Sequence, residues 1–190
     1  TGRECDKFGL TEKDFVKLAK YAKNSKFLRF KCISVHIGSQ ILSYKPYEKM
    51  LKTIDKIIKK INHKFKFIDL GGGMGISYEH NNKMLNYKIY NSLIEKFLRN
   101  KNCRIIFEPG RSIIGNTGIL ISKIIYIKKS NNKNFVILDA GMNNLMRPAL
   151  YDAHHHIIPL KRKGKFSGKN LKFVGPICES TDKFSNQKTF

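Results

Sequence analysis

Tryptophan is absent from this chain, cysteine and proline number only 4 and 5, and acidic residues number 14 against 37 lysines and arginines. Each shortage excludes something. Cys5, Cys32, Cys103 and Cys178 are far apart and show no CxxC spacing, so neither a zinc cluster nor a dithiol redox pair is expected. Cys32 and Cys103 sit in apolar runs and are expected in the core, and a reduced, cytoplasmic setting suits all four thiols. No stretch of about 18 uninterrupted apolar residues occurs, and no basic segment leads into an apolar one, so neither membrane insertion nor secretion is indicated.

The shortage of acids leaves a formal net charge of +23. A basic nucleic-acid-binding module would gather such charge on one face, where it displaces counterions from phosphates. Here the lysines are spread over every segment among isoleucines and asparagines, so a solvated basic surface is the favoured reading and no nucleic-acid partner is expected. The chain opens on Thr1 and stops at Gln187-Lys188-Thr189-Phe190 without a helix-ending or tail-like composition, and it reads as a fragment. Its 41% hydrophobic content is enough for a packed core.

What is present is a repeat. Phe30 to His36, Phe65 to Leu70 and Arg104 to Glu108 are short apolar runs that read as strands, the last two leading into glycine or Pro-Gly. Helical patterns lie between them: Ile54, Ile57, Ile58 and Ile61 share a face, as do Tyr90, Leu93, Ile94 and Phe97. Thr11 with Asp14 offers an N-cap to an earlier helix, and Pro46 suits a first helical turn. His36 and Gly71 are 35 residues apart, and Gly71 and Glu108 are 37 apart, the size of one β/α unit with parallel strands. In a (β/α)8 barrel such strand ends meet at one mouth, so His36, Gly71 and Glu108 are expected to converge. Beyond Arg111 the pattern turns to strands, at Gly118 to Lys128, Asn134 to Asp139, His155 to Leu160 and Leu171 to Val174, with a turn over Asn131-Asn132-Lys133-Asn134. The expected architecture is α/β: residues 1–115 form the C-terminal half of a barrel, and residues 116–190 form part of a β-rich domain.

Gly71-Gly72-Gly73 allows backbone N–H groups to approach a phosphate, with Ser39 supplying a hydroxyl, and Gly110 with Arg111 further donors and a charge. Tight turns also need glycine, but several donors at one mouth favour a phosphate site. Glu108 ends an apolar strand and admits two readings, a structural ion pair or a carboxylate facing a pyridinium nitrogen. His36 is either a core histidine or a ring stacked on that group. Cys178 and Glu179, in Gly175-Pro176-Ile177-Cys178-Glu179-Ser180-Thr181-Asp182, put a thiol beside a carboxylate after a strand-like run. A buried inert thiol is the alternative for Cys178. His154, His155 and His156 would alternate faces on a strand and cannot all bind one ion, so no metal is assigned. A role in lining a substrate pocket stays open for them.

These blocks, with Asp139-Ala140-Gly141-Met142-Asn143 and Arg147-Pro148-Ala149-Leu150-Tyr151, resemble in order those of the diaminopimelate decarboxylases. That family belongs to the fold-type III pyridoxal phosphate enzymes. The resemblance implies pyridoxal 5'-phosphate as cofactor, with Ser39, Gly71, Gly72, Gly73, Gly110 and Arg111 around its phosphate, Glu108 on the ring nitrogen and His36 stacked on the ring. It implies that Arg111, Arg147, Tyr151 and Glu179 bind substrate and that Cys178 donates a proton across a homodimer interface. The implied reaction is decarboxylation of meso-diaminopimelate to L-lysine. Arg147 for a distal carboxylate and Glu179 for a distal ammonium suit that zwitterion better than ornithine. A decarboxylase of ornithine, arginine or carboxynorspermidine is the alternative, together with a non-catalytic pyridoxal phosphate barrel or a phosphate-binding barrel of unrelated chemistry. The family's cofactor lysine precedes the matching region and its C-terminal tyrosine segment follows it, so the fragment alone is expected to be inactive. Asn144 stands where many relatives carry an acid.

Overall fold

The computed structural model describes residues 7–78, 84–130, 133–160 and 169–189, with side chains for all of these except 169 and 186–189. Cys5 and the tip of the Asn131–Asn134 turn lie outside the described residues. The chain divides into two compact units: residues 7–77 and 84–118 form the first, and Tyr78 with residues 119–189 the second.

The first unit alternates helix and strand. Helix α1 (Glu12–Asn24) is capped by Thr11, whose hydroxyl accepts from the Asp14 N–H at 3.2 Å. Helix α2 (Lys45–Ile61) starts with Pro46 in its first turn and ends on Asn62 in the left-handed region. Helix α3 (Tyr87–Leu98) is capped by the Asn86 side chain, which accepts from the Ile89 N–H. Between them run three short parallel strands in the order β1 (Cys32–Ser34), β2 (Phe67–Asp69) and β3 (Arg104–Ile106), and a one-turn helix α4 (Arg111–Ile114) follows. The register aligns Ser34 with Asp69 and Asp69 with Ile106, so the three strands end together. Each strand is shorter than its apolar run, whose outer residues still bond across to the neighbouring run.

The faces read from the sequence are the ones that pack. Ile54, Ile61, Tyr90, Ile94 and Phe97 are buried, and Ile57, Ile58 and Leu93 pack against them around Ile33, Ile68 and Leu70. Cys32 and Cys103 are half-buried, with Cys103 against this core, and burial pushes both thiols up, which keeps them protonated and inert.

The second unit is a four-stranded mixed sheet in the order β4 (Ile124–Ser130), β5 (Lys133–Leu138), β6 (Lys169–Val174) and β7 (Lys183–Thr189). The outer pairs are antiparallel and β5 with β6 is parallel. A short helix, α5 (Arg147–Tyr151), lies between β5 and β6 in sequence. Val136 opposite Phe173, with Leu138, Leu171 and Phe184, forms a separate core.

Two expected strands are corrected. Residues 118–123 are irregular, and Ile119 is 85% exposed: an apolar run is no strand without a neighbour to complete its ladder. Residues 155–160 are likewise outside any strand. The alternating-face argument for the three histidines therefore does not apply.

Asp55 on α2 pairs with Lys101 at 2.8 Å and with Lys59 at 2.7 Å, which holds its carboxyl below the usual range and ties α2 to the segment after α3. A lowered carboxylate contributes stability that is present above its unfolded pKa and lost as the pH falls through the folded value. Asp55→Asn in the intact protein should cost about 1 kcal/mol near neutral pH and nothing once the wild-type acid is protonated. Thermal melts from pH 7 down to pH 3 check this, and a constant difference across that range would contradict it.

Candidate active site

The glycine cup is built by the common ending of the three parallel strands. Past their last paired residues the ladder continues through Val35 N–H to Asp69 O at 2.9 Å, Leu70 N–H to Ile106 O at 3.0 Å and Glu108 N–H to Gly71 O at 2.8 Å. His36, Gly71 and Glu108 therefore converge. Gly71 has φ +65°, a conformation that side chains rarely adopt, and a Cβ there would strike the Val35 carbonyl. A Cβ on Gly72 would strike the Glu108 carbonyl oxygen. The absence of side chains at these positions is thus a packing requirement of the backbone itself. Gly73 comes equally close to Gly38, the residue before Ser39.

Three residues without a sequence-assigned role hold this cup. Asp69 is buried and accepts from the Gly71 N–H at 2.8 Å and the Ser34 hydroxyl at 3.1 Å. Tyr47 is fully buried and donates to the Gly72 carbonyl at 3.2 Å, and burial raises its pKa so that it stays a donor. Gln40, at φ +60°, accepts from the Ile76 N–H at 3.3 Å and from the Arg111 guanidinium at 2.9 Å, which places that cation beside the loop after the glycines. In the second unit, the buried Asp182 carries out similar work for the Cys178 loop. Asp69, Gln40 and Asp182 all stand inside the motif blocks, and that is the only signal the sequence offers for them.

Glu108 and His36 are exposed, as is Ser39. Among the described residues Glu108 has no ion-pair partner, so the structural salt bridge is not seen. The His36 Nδ1 accepts from the Gly72 N–H at 3.4 Å, which turns the ring toward the cup. The combination is a backbone-lined turn, a guanidinium, a hydroxyl, an imidazole and a solvent-facing carboxylate at one sheet edge. That donor set suits a phosphate with an attached aromatic base.

In the second unit Arg147 is half-buried at the start of α5, and Tyr151 at its end is 70% exposed. Cys178 and Glu179 lie on the exposed loop between β6 and β7. The Glu179 carboxylate accepts from the Thr181 N–H and hydroxyl at 3.1 Å and from the Ser180 hydroxyl at 3.1 Å, and these bonds hold its pKa down. Asn144 closes its own turn, its side-chain oxygen accepting from the Gly141 N–H at 3.0 Å. An open cleft of about 270 Å³ between α5 and β7 is lined by Pro148, Asp152, Ala153, His154 and residues 183–185, and His154 is the one among them for which the sequence left a pocket-lining role open.

The comparisons give this arrangement, a parallel β/α unit ending in the cup and followed by a mixed sheet, its class. Residues 13–190 match the family described as pyridoxal-dependent decarboxylase, C-terminal sheet domain, and the chain belongs to that family. It is 40% identical to the diaminopimelate decarboxylase of Aquifex aeolicus over 96% of its own length and 44% of the relative's, and 40% identical to that of Zymomonas mobilis over 100% and 45%. It superposes on the crystal structure of Helicobacter pylori diaminopimelate decarboxylase complexed with L-lysine with a TM-score of 0.89 at 37% identity, covering 100% of this chain and 48% of that one. The chain thus spans about half the length of the relatives it matches. Family membership implies pyridoxal phosphate as the cofactor.

Because a Cβ at Gly72 would meet backbone, Gly72→Ala in the intact protein should cost about 1–3 kcal/mol and weaken cofactor retention. Gly118→Ala, where the added Cβ meets nothing within 4 Å, is the control. Bound cofactor absorbance per subunit after gel filtration, with melting curves, checks both. Equal retention in the two variants would contradict the close-packed cup.

Proposed function

We propose that the protein containing this chain decarboxylates meso-2,6-diaminopimelate to L-lysine, the lysine-forming step of amino-acid biosynthesis, as a carboxy-lyase acting in the cytoplasm. The observation that carries this is the pairing of the glycine cup with a loop on which Cys178 and an ionised Glu179 adjoin. In this reading residues 1–115 are part of a (β/α)8 barrel and residues 116–190 part of the C-terminal β domain.

Bound pyridoxal phosphate supplies an electron sink for the pair left behind as CO2 departs. This chain's residues do the rest. The N–H groups of Gly71, Gly72 and Gly73, with Ser39, Gly110 and Arg111, hold the phosphate. Glu108, a carboxylate free to face a ring nitrogen, keeps that nitrogen protonated, and His36 braces the ring. Arg111, Arg147 and Tyr151 bind substrate carboxylate, and Glu179 pairs with the distal ammonium. Cys178 delivers a proton from Sγ to the α-carbon, and the thiolate recovers it from solvent.

Arg147 offers a guanidinium to a distal carboxylate and Glu179, held anionic by its loop, offers a carboxylate to a distal ammonium, so a substrate carrying both groups fits better than a diamine precursor lacking the carboxylate. The intact protein should turn over meso-diaminopimelate with a kcat/KM at least about a hundredfold above that for ornithine, a bidentate arginine contact left unpaired in the wrong complex being worth several kcal/mol. CO2 release from each substrate measures it. Comparable rates, or ornithine alone, would assign the protein to another decarboxylase of the same fold.

Cys178 and Glu179 are exposed at a loop tip, which suits a site shared between two subunits of a homodimer. Glu108→Gln and Cys178→Ala should each lower turnover on the order of 10²-fold or more. Subunit exchange between the two inactive variants should restore activity, approaching about a quarter of wild type, because half of the reassorted dimers carry one intact site. Verified hybrid dimers without activity would place the thiol in its own subunit's site or outside catalysis.

A further inference from the structure

The Cys178 loop is held by a carboxylate that the proposed reaction does not use. Asp182 is 4% exposed. Its Oδ2 accepts from the Ile177 N–H at 2.8 Å, and its Oδ1 accepts from the Met142 N–H at 2.7 Å. Its own N–H donates to the Glu179 carbonyl at 3.0 Å, and its carbonyl accepts from the Gly175 N–H at 3.0 Å. One residue therefore closes the loop at its base, grips the backbone of the residue before Cys178 and bonds the backbone of Glu179. It also ties this loop to the separate segment around Met142. A buried carboxylate costs several kcal/mol unless N–H donors meet it, so its two oxygens fix both segments at once.

Gly175 is the complement of this carboxylate. A Cβ built there would lie 2.5 Å from Oδ1 and 2.6 Å from the carboxyl carbon, so any side chain would evict the group. The side chain of Ile177 packs over Gly141, so the two segments also touch through apolar atoms. Exposed loops of this length do not hold a thiol to a fixed position by themselves. Proton delivery to a carbon requires such a position, since a displacement of 1 Å at a reacting group can cost about 10²-fold in rate.

We propose that Asp182 is a positioning residue for catalysis: with Gly175 it locks the Cys178–Glu179 loop onto the Met142 segment and so fixes where the thiol and the ammonium-binding carboxylate stand. This rests on the reading of Cys178 as proton donor. The lock itself is a property of the loop that can be measured apart from turnover.

The test uses the intact enzyme with cofactor bound. Asp182→Asn keeps the size of the side chain but turns one acceptor into a donor that faces an N–H, while Gly175→Ala keeps the carboxylate and displaces it. Cofactor content, melting midpoint, kcat, KM and the rate of Cys178 alkylation by iodoacetamide, followed by mass spectrometry of its peptide, are measured for both. The expected result is unchanged cofactor content and a melting midpoint within a few degrees of wild type. Alongside these, kcat should fall roughly tenfold or more, and Cys178 should be alkylated several-fold faster. Wild-type kcat and alkylation in both variants would overturn the proposal. So would loss of cofactor and a collapsed midpoint in both, since Asp182 would then hold up the fold and not the loop. If alkylation rises as expected while Cys178→Ala remains fully active, the lock stands and the proton-donor reading fails.

Discussion

Backbone meeting backbone at the ends of three parallel strands is the constraint on which the first unit depends. Glu108 N–H bonds to Gly71 O at 2.8 Å while the Glu108 carbonyl crowds Gly72, so the two strand ends can lie this close only if the second carries no side chains. That approach has two effects. It brings His36 and Glu108 to the same edge, although the sequence separates them by two full β/α units. It also leaves a concave row of peptide groups that no Cβ can cover, where an anion can come near. Asp69 beneath Gly71 and Tyr47 beneath Gly72 keep the turn from relaxing, one as an acceptor and the other as a donor.

The parts of this arrangement that sequence reading reaches are those with a local cause. Helix faces were legible because Ile54 and Ile61, or Tyr90, Ile94 and Phe97, recur at helical spacing and one side must be buried. The caps at Thr11 and Pro46 were legible because each acts within one turn of itself. The convergence of His36, Gly71 and Glu108 followed from the length of the repeat, since parallel strands of equal period end on the same edge.

What was not legible has a partner far along the chain. Residues 118–123 carry the composition of a strand but join none: they meet the chain just past β5 at Lys123, whose carbonyl accepts from the Asp139 N–H at 3.0 Å, and hydrophobicity alone does not extend that contact into a ladder. Conversely β7, Lys183–Thr189, is too polar to announce itself, yet it pairs with β6 over most of its length and buries Phe184. Gln40 and Asp182 belong to the same class. Each is a polar residue whose use is set by contacts 36 to 71 and 5 to 40 residues away, and nothing in its immediate surroundings distinguishes it from a solvated side chain.

The two units solve one physical problem in opposite ways. In the first, groups that would face the cofactor are held rigid by the sheet itself: His36 and Glu108 follow directly from strand ends, and Arg111 is fixed through Gln40. In the second, Cys178 and Glu179 stand two and one residues before a reversal of the chain, beyond the end of the sheet, where a ladder cannot reach them. A buried carboxylate takes the ladder's place, because its two oxygens can accept from segments with no common strand. On the proposed reading the thiol gives up a proton and the Glu179 carboxylate meets an ammonium, so neither can spend its whole bonding capacity on the fold; the Glu179 bonds to Ser180 and Thr181 all fall on one oxygen. Fixing the backbone at Ile177 and at the Glu179 carbonyl holds their positions while leaving the thiol and the second carboxylate oxygen of Glu179 to meet a substrate in that reading.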